Sequence, residues 1–336
     1  MLREAFRRGF AFGQKLPDVP VVDARPDHEQ ADPAWIRKAL AASQALSAGG
    51  WYVLDASRHC STSPRRFWVA GRPLVVFRSG TRLVAARDAC PHLGAALSEG
   101  RVRDGRLICP WHGLSFGAEP CDGYRSLTTF DDGHLAWVRF DDAGEAPTDR
   151  PQLPDRPARG LAGVVRVEVT CEPADIIANR LDPWHGAHYH PHSFARLRVI
   201  ERLPDEITVR VAYRVLGPCL VEVDARFHCT DARTIVMTIL RGEGAGSVVE
   251  THATPLRPGQ TAMVELTVAD SERSGFAVAR SLAPLLRPLV ERAARRLWID
   301  DAAYAERLYQ LRHGALGERV RLVTVPPGER ARQPRE

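Results

Sequence analysis

A chain of 336 residues, 44% hydrophobic and 26% charged, has the composition of a folded globular protein and enough length for two domains. No run approaches the roughly 18 consecutive apolar residues that cross a bilayer, which excludes a transmembrane helix. Much of the formal charge of +5 sits in the terminal stretches "MLREAFRRGF" and "ERARQPRE"; basic patches interleaved with aromatic residues are not evident, so no nucleic-acid partner is expected.

Residues 1–50 read as a polar, Pro-rich arm followed by a helix, "DPAWIRKALAASQALSAGG", opened by Asp32 and Pro33 and stopped by Gly49 and Gly50. "RRGFAF" at Arg7 to Phe12 has the pattern of a twin-arginine export signal. The following "GQKLPDVPVVDARPDHEQ" holds neither an apolar run nor a small-residue cleavage site, so a cytoplasmic protein is expected. A basic amphipathic reading of "MLREAFRRGFAF" would suit a membrane surface, but packing of a terminal helix on the protein is favoured and membrane contact is not expected. Seven cysteines, an odd number, fit reduced thiols and metal ligation better than a disulfide framework.

From Trp51 to about residue 145, short β-rich runs such as "FWVAGRPLVVFR" and "HLAWVRF", parted by Gly and Asp turns, predict a small all-β domain. Within it, "CPHLGAALSEGRVRDGRLICPWH" places Cys90-x-His92 and Cys109-x-x-His112 on two loops joined by a hairpin. Zinc fingers usually pair Cys with Cys and His with His; here each loop offers one of each. Two such loops closing on one centre allow the cysteines to hold one iron and the histidines the other, as in a high-potential [2Fe–2S] centre. The pattern, with its neighbours "PHLGAALSEG" and "PWHGLSF", resembles the Rieske domain. Ala95 and Trp111 stand where respiratory members of that family carry an additional cysteine pair, which implies the oxygenase or ferredoxin kind. Cys121 lies outside both loops and reads as a structural thiol.

A Pro- and Asp-rich linker at 146–160 leads to a second domain at 161–320, followed by a basic C-terminal tail at 321–336. "NRLDPWHGAHYHPHSF" contains Asp182-x-x-His185-x-x-x-x-His190. On a helix or distorted helix His185 and His190 would project towards one point, with Asp182 a turn before. Two imidazoles and a carboxylate form the facial triad of non-haem Fe(II) oxygenases; a solvated His-rich loop or a structural zinc site is the competing reading. Period-two runs "EITVRVAYRVL", "LVEVDARFHCT", "TIVMTIL", "SVVETHATPL" and "TAMVELTVA" predict an antiparallel sheet. A helical region from about Gly275 to Arg312 follows, making an α+β domain in which a helix lies on a curved sheet around an apolar cavity.

The frame N-x-x-D-x-x-H-x-x-x-x-H behind a Rieske motif resembles the catalytic domain of Rieske non-haem iron ring-hydroxylating oxygenases, the terminal oxygenase components, with their helix-grip, START-like fold. Ala178 precedes Asn179 where the family often has an acidic residue. His188 and His192 flank the assigned ligands; the family spacing selects His190. The family frame for the third ligand, an acidic residue before the aspartate and Glu five positions on, selects Asp301 from among Asp300, Asp301 and Glu306.

The resemblance implies electrons from NAD(P)H passing through a ferredoxin or flavin reductase to a [2Fe–2S] cluster on Cys90, His92, Cys109 and His112. From there they reach a mononuclear Fe(II) on His185, His190 and Asp301, with O2 as co-substrate. It further implies a homotrimer in which Asp182 links His185 to a cluster histidine, His112, of the next subunit. A lipophilic substrate, aromatic, steroid or isoprenoid, is expected in the cavity. The rival reading is an electron-transfer protein with a non-catalytic, ligand-binding second domain.

Overall fold

Asp32 opens the first helix, α1 (Pro33–Gln44), by accepting from the N–H groups of Ala34 and Trp35 at 3.0 and 3.1 Å, with Pro33 where a missing N–H costs nothing. Its inward face of Trp35, Ala39 and Ser43 packs against the second domain, Trp35 meeting Trp184 edge-on at 6.0 Å. A computed structural model describes residues 10–11, 16–18, 30–121, 123–190, 192–216 and 219–314. Most of the N-terminal arm and the tail at 321–336 lie outside the described residues. Ahead of α1, β1 (Phe10–Ala11) is described as a short strand.

The all-β domain consists of three small antiparallel sheets. One joins β2 (Trp51–Ala56) to β9 (Thr128–Asp131) and β10 (Leu135–Arg139). The second is β3 (Arg65–Val69), β4 (Arg72–Ser79) and β5 (Arg82–Arg87). The third, β6 (Arg101–Arg103), β7 (Arg106–Ile108) and β8 (Ser115–Phe116), carries the two Cys–His loops at its ends. Ala70–Gly71 and Asp104–Gly105 turn their hairpins with positive φ at both positions, the primed geometry that matches strand twist.

In the second domain, β11 (Leu161–Val169) precedes α2 (Pro173–Arg180) and α3 (Gly186–Tyr189). Then come β12 (Phe194–Arg202), β13 (Glu206–Leu216), β14 (Cys219–Asp231), β15 (Thr234–Gly242), β16 (Val248–Arg257) and β17 (Gln260–Ala269). The antiparallel path runs β11-β17-β16-β15-β14-β13-β12, so the first strand of the domain pairs with its last. Beyond the five predicted runs, β12 is a further strand whose Ala195, Leu197 and Val199 alternate inward. The predicted helical region is two helices, α4 (Ser274–Ser281) and α5 (Ala283–His313), parted at Leu282. The site faces α2 and α5 share one hydrophobic core with α1 and the sheet.

The domains meet through Trp51, Val53, Leu135 and Trp137 packed on Val164, Val264, Leu266 and Val268. Beside this contact, Arg156 joins Asp132 of the first domain at 3.0 Å to Glu250 of the second at 2.5 Å. His252 donates from Nε2 to Glu250 at 3.2 Å and accepts at Nδ1 from the Thr234 hydroxyl at 3.0 Å. Glu250 is fully buried, so its removal leaves the Arg156 charge with Asp132 alone. Glu250→Ala is expected to destabilise by about 3 kcal/mol, the low end for a broken buried pair because Asp132 remains, read as an earlier urea midpoint. Burial raises the Glu250 carboxyl, but His252 and Arg156 outweigh it and hold it below its ordinary value. The contribution is therefore intact above the ordinary carboxylate range and is lost as pH falls through the depressed folded value.

Candidate cluster loops and iron site

The two Cys–His segments share one backbone pattern. Cys90 N–H donates to the Ala95 carbonyl at 2.8 Å and Gly94 N–H to the Cys90 carbonyl at 2.8 Å. Likewise Cys109 N–H donates to Leu114 at 2.8 Å and Gly113 N–H to Cys109 at 3.1 Å. Gly94 and Gly113 have φ of 80° and 72°, the left-handed region that glycine enters without strain. The fold buries both thiols and leaves His92 and His112 exposed above them, ring centroids 4.8 Å apart.

Burial raises the Cys90 thiol although the His92 N–H faces its sulfur. Burial also opposes ionisation of Cys109, but the N–H groups of Trp111 and His112 aimed at its sulfur bring the net value down. Paired sulfurs met by inward N–H donors and roofed by two imidazoles fit a [2Fe–2S] centre with two thiolate and two imidazole ligands. By contrast, burial pushes Cys60, Cys171 and Cys229 up to about 12, as for packing thiols. Cys121 is exposed and outside the loops.

The second group of residues starts on α2, anchored to the end of α5 by the buried Asp175, which accepts from Arg312 Nη2 at 2.7 Å. Pro183 cannot continue α2, so the His-rich segment is not one helix: a 3₁₀ turn at Pro183–His185 is followed by the single turn of α3. His190 N–H donates to Gly186 at 3.0 Å, which fixes His190 beneath that turn. From the other side α5 turns Trp298, Asp301 and Ala305 inward.

Three groups converge on Asp301 Oδ1: His190 Nε2 at 2.8 Å, His185 Nε2 at 3.1 Å and Asn179 Nδ2 at 3.2 Å. Candidate ligand atoms of His185, His190 and Asp301 lie within 4.8 Å of one another. The His185 Nδ1–H is engaged by the Asp182 carbonyl, which leaves an Nε2 lone pair facing a carboxylate oxygen. The pair needs a positive charge between them, either a proton on Nε2, which against burial Asp301 and Asp182 favour by raising His185 above its ordinary value, or a metal cation. Burial would lift the Asp301 carboxyl, but the two imidazoles hold it below the usual carboxylate range. The donor set and its electrostatics thus fit a divalent cation with positions left open.

Among the alternatives, Asp300 has a side chain 41% exposed and lies 3.6 Å from His190 Nδ1; with His190 and His192 it forms a second possible metal group. Glu306 accepts from the Thr170 N–H at 3.0 Å, away from the histidines. His188 is exposed. Asp182 is buried, one oxygen accepting from the Tyr304 hydroxyl at 3.3 Å. Tyr304, which the sequence reading missed, also stacks on His185 at 5.3 Å with 19° between the rings; its signal was its place one turn beyond Asp301. Asn179, Asp182, His185, His190 and Asp301 floor a cavity walled by Phe194, Leu197, Val209, Val211, Phe227 and Met237.

Residues 50–126 match the Rieske [2Fe-2S] domain. The vanillate O-demethylase oxygenase subunit of Pseudomonas sp. (strain HR199 / DSM 7063) is 26% identical over 247 residues, 67% of each chain. The dicamba O-demethylase oxygenase component of Stenotrophomonas maltophilia is 30% identical over 180 residues, 47% of this chain and 52% of that one. The chain belongs to the Rieske non-haem iron oxygenases. Residues 142–316 of this oxygenase, just over half of it, also make it a member of the family described as "Domain of unknown function (DUF5914)".

The oxygenase superposes on dicamba monooxygenase bound to dicamba with a TM-score of 0.63 at 18% identity, covering 84% of this chain and 93% of the other. The terminal oxygenase of carbazole 1,9a-dioxygenase from Novosphingobium sp. KA1 gives 0.55 at 14% identity, covering 86% and 90%. At these identities the likeness concerns the fold: a domain of small antiparallel sheets, then a large antiparallel sheet with helices. The cofactors of such an oxygenase are a Rieske [2Fe–2S] cluster and a mononuclear iron. No helix among the described residues is long and apolar enough to cross a membrane.

Proposed function

We propose that this chain is the terminal component of an oxygenase system that oxidises a lipophilic, aromatic substrate by hydroxylation or oxidative demethylation, with Cys90, His92, Cys109 and His112 as cluster ligands and His185, His190 and Asp301 as iron ligands. The observation that carries the reading is the convergence of both Nε2 atoms on Asp301 Oδ1 at 2.8 and 3.1 Å on the floor of an apolar cavity. Iron bound there supplies O2 activation with electrons delivered from the cluster. The protein's own part is positional. The apolar walls hold a lipophilic substrate against the open side of the site and keep water out, and the Asp182 carbonyl fixes His185 with Nε2 inward. A ferredoxin or flavin reductase fed by NAD(P)H is the proposed electron source; the relatives named as demethylase and dioxygenase components support both partner and substrate class.

A homotrimer is part of the proposal, with a cluster histidine of a neighbouring copy, His112, approaching Asp182. In support, Asp182 stands beside His185 with 12% of its side chain exposed, and His112 is exposed. Asp182→Asn is expected to keep both metals and lose about 10–100-fold in turnover. The reading is tested by iron content and by mass spectrometry of products from candidate lipophilic aromatics incubated with reductase and NAD(P)H. The expected protein holds the cluster's two irons plus one and adds oxygen from O2. Cluster iron alone, unchanged in His185→Ala/His190→Ala, would leave an electron carrier with a ligand-binding domain.

A further inference from the structure

An apolar stripe crosses α4 and the first half of α5 on their outward side. Val278, Leu282, Leu285 and Leu289 follow one another at spacings that keep them on one helical face, and they are 61%, 44%, 71% and 64% exposed. The break at Leu282 does not turn the chain away: its N–H bonds to Val278 and its carbonyl accepts from Leu285 and Leu286. The stripe is therefore continuous over roughly 16 Å. Isolated exposed leucines are ordinary in a folded protein, whereas a contiguous row marks a contact surface.

The charge around the row names its partner. The same helical line runs on through Arg292, Arg296 and Ile299, all exposed, whereas Arg280 and Arg295 lie off it and turn to the carbonyls of Arg159 and Arg166. The acidic residue of residues 274–299 is Glu291, whose carboxylate is turned inward to the Val164 N–H at 3.0 Å and Arg58 at 2.6 Å. Asp300, one turn beyond Arg296, is 41% exposed but lies 3.6 Å from His190 Nδ1; an outward face of aliphatic side chains followed by the guanidinium groups of Arg292 and Arg296 complements apolar chains beneath anionic headgroups. A second copy pressed on the same face would offer its own leucines and arginines, and so no anion.

We propose that this face of α4 and α5 docks on an anionic lipid surface. The helix that makes the contact also supplies Leu297 to the cavity wall and Asp301 to its floor, so a lipophilic substrate dissolved in that surface would meet the protein on the helix that borders the site. The docking surface goes beyond the oxygenase reading and does not depend on it, since adsorption to lipid needs neither iron nor turnover. It is also distinct from the N-terminal "MLREAFRRGFAF", nearly all of which lies outside the described residues.

The experiment is co-sedimentation of the full-length, cluster-loaded protein with vesicles of phosphatidylcholine alone and of phosphatidylcholine mixed equally with phosphatidylglycerol. Binding to the mixed vesicles, weak binding to the neutral ones and release by salt are expected. Leu285→Glu/Leu289→Glu should abolish binding, and Arg292→Glu/Arg296→Glu should weaken it by at least about thirtyfold, both with unchanged visible spectra and iron content as the measure of intact folding. Protein that stays in solution with both vesicle types overturns the proposal. So does binding that survives the leucine variants, which places the contact elsewhere on the chain. Absence of lipid binding together with a fall in oligomeric mass of the leucine variants, seen by sedimentation velocity, would instead give this face to a second copy.

Discussion

Asp301→Ala is expected to lose the mononuclear iron and all oxygenation while the cluster's visible and paramagnetic spectra persist. Asp301 Oδ1 is the point where His185, His190 and Asn179 meet, so its removal takes away the one anionic ligand and leaves two imidazoles with nothing to balance a divalent charge. The cluster loops sit at the far ends of the β6–β8 sheet, in a domain with its own core, which is why their spectrum should survive. Asp300→Ala should be milder. Neighbouring residues lie about 100° apart around a helix; the Asp301 side chain is 3% exposed and that of Asp300 41%. Loss of iron in Asp300→Ala with retention in Asp301→Ala would transfer the role to the group of His190, His192 and Asp300.

The second large effect is expected at the cluster: Cys109→Ser should yield colourless protein without the low average g-value of a reduced Rieske centre. Each iron of such a centre has only two protein ligands, and a serine hydroxyl, unlike a thiolate, is not ionised near neutral pH to replace one. The backbone donors at Trp111 and His112 would then face an uncharged oxygen. Cys121→Ser, at an exposed cysteine outside the loops, should leave the spectrum unchanged. A Cys109→Ser protein that keeps the full spectrum, or wild-type protein that binds zinc and stays colourless, would sink the assignment of these loops.

Read along the chain, the motifs were legible because their chemistry is local. Cys90-x-His92 and Cys109-x-x-His112 each sit in a loop closed by its own glycine, so short sequences carry both the ligands and the turn that presents them. The alternating strands were legible for the same reason, since period two is a property of a few neighbouring residues; β12 went unlisted beside the His-rich segment although Ala195, Leu197 and Val199 obey the rule. His185 and His190 could be paired by spacing, and of the helix or distorted helix expected there the structure has the distorted form, a 3₁₀ turn from Pro183 running into a single helical turn.

The sequence by itself determined the class of chemistry: two Cys–His loops, a His-rich segment and a run of acidic candidates on a late helix. Family resemblance selected Asp301 from among Asp300, Asp301 and Glu306, but spacing alone could not, because their separation from His190 along the chain is bridged only by folding the whole antiparallel sheet between them. Tertiary structure decided that Asp301 turns inward with Trp298 and Ala305, that Glu306 is spent on the Thr170 backbone and that Tyr304 covers His185. It also decided which leucines of α4 and α5 face outward. Helical periodicity gives a face, but only the position of β11 behind the helix tells which side of it is left to the surroundings.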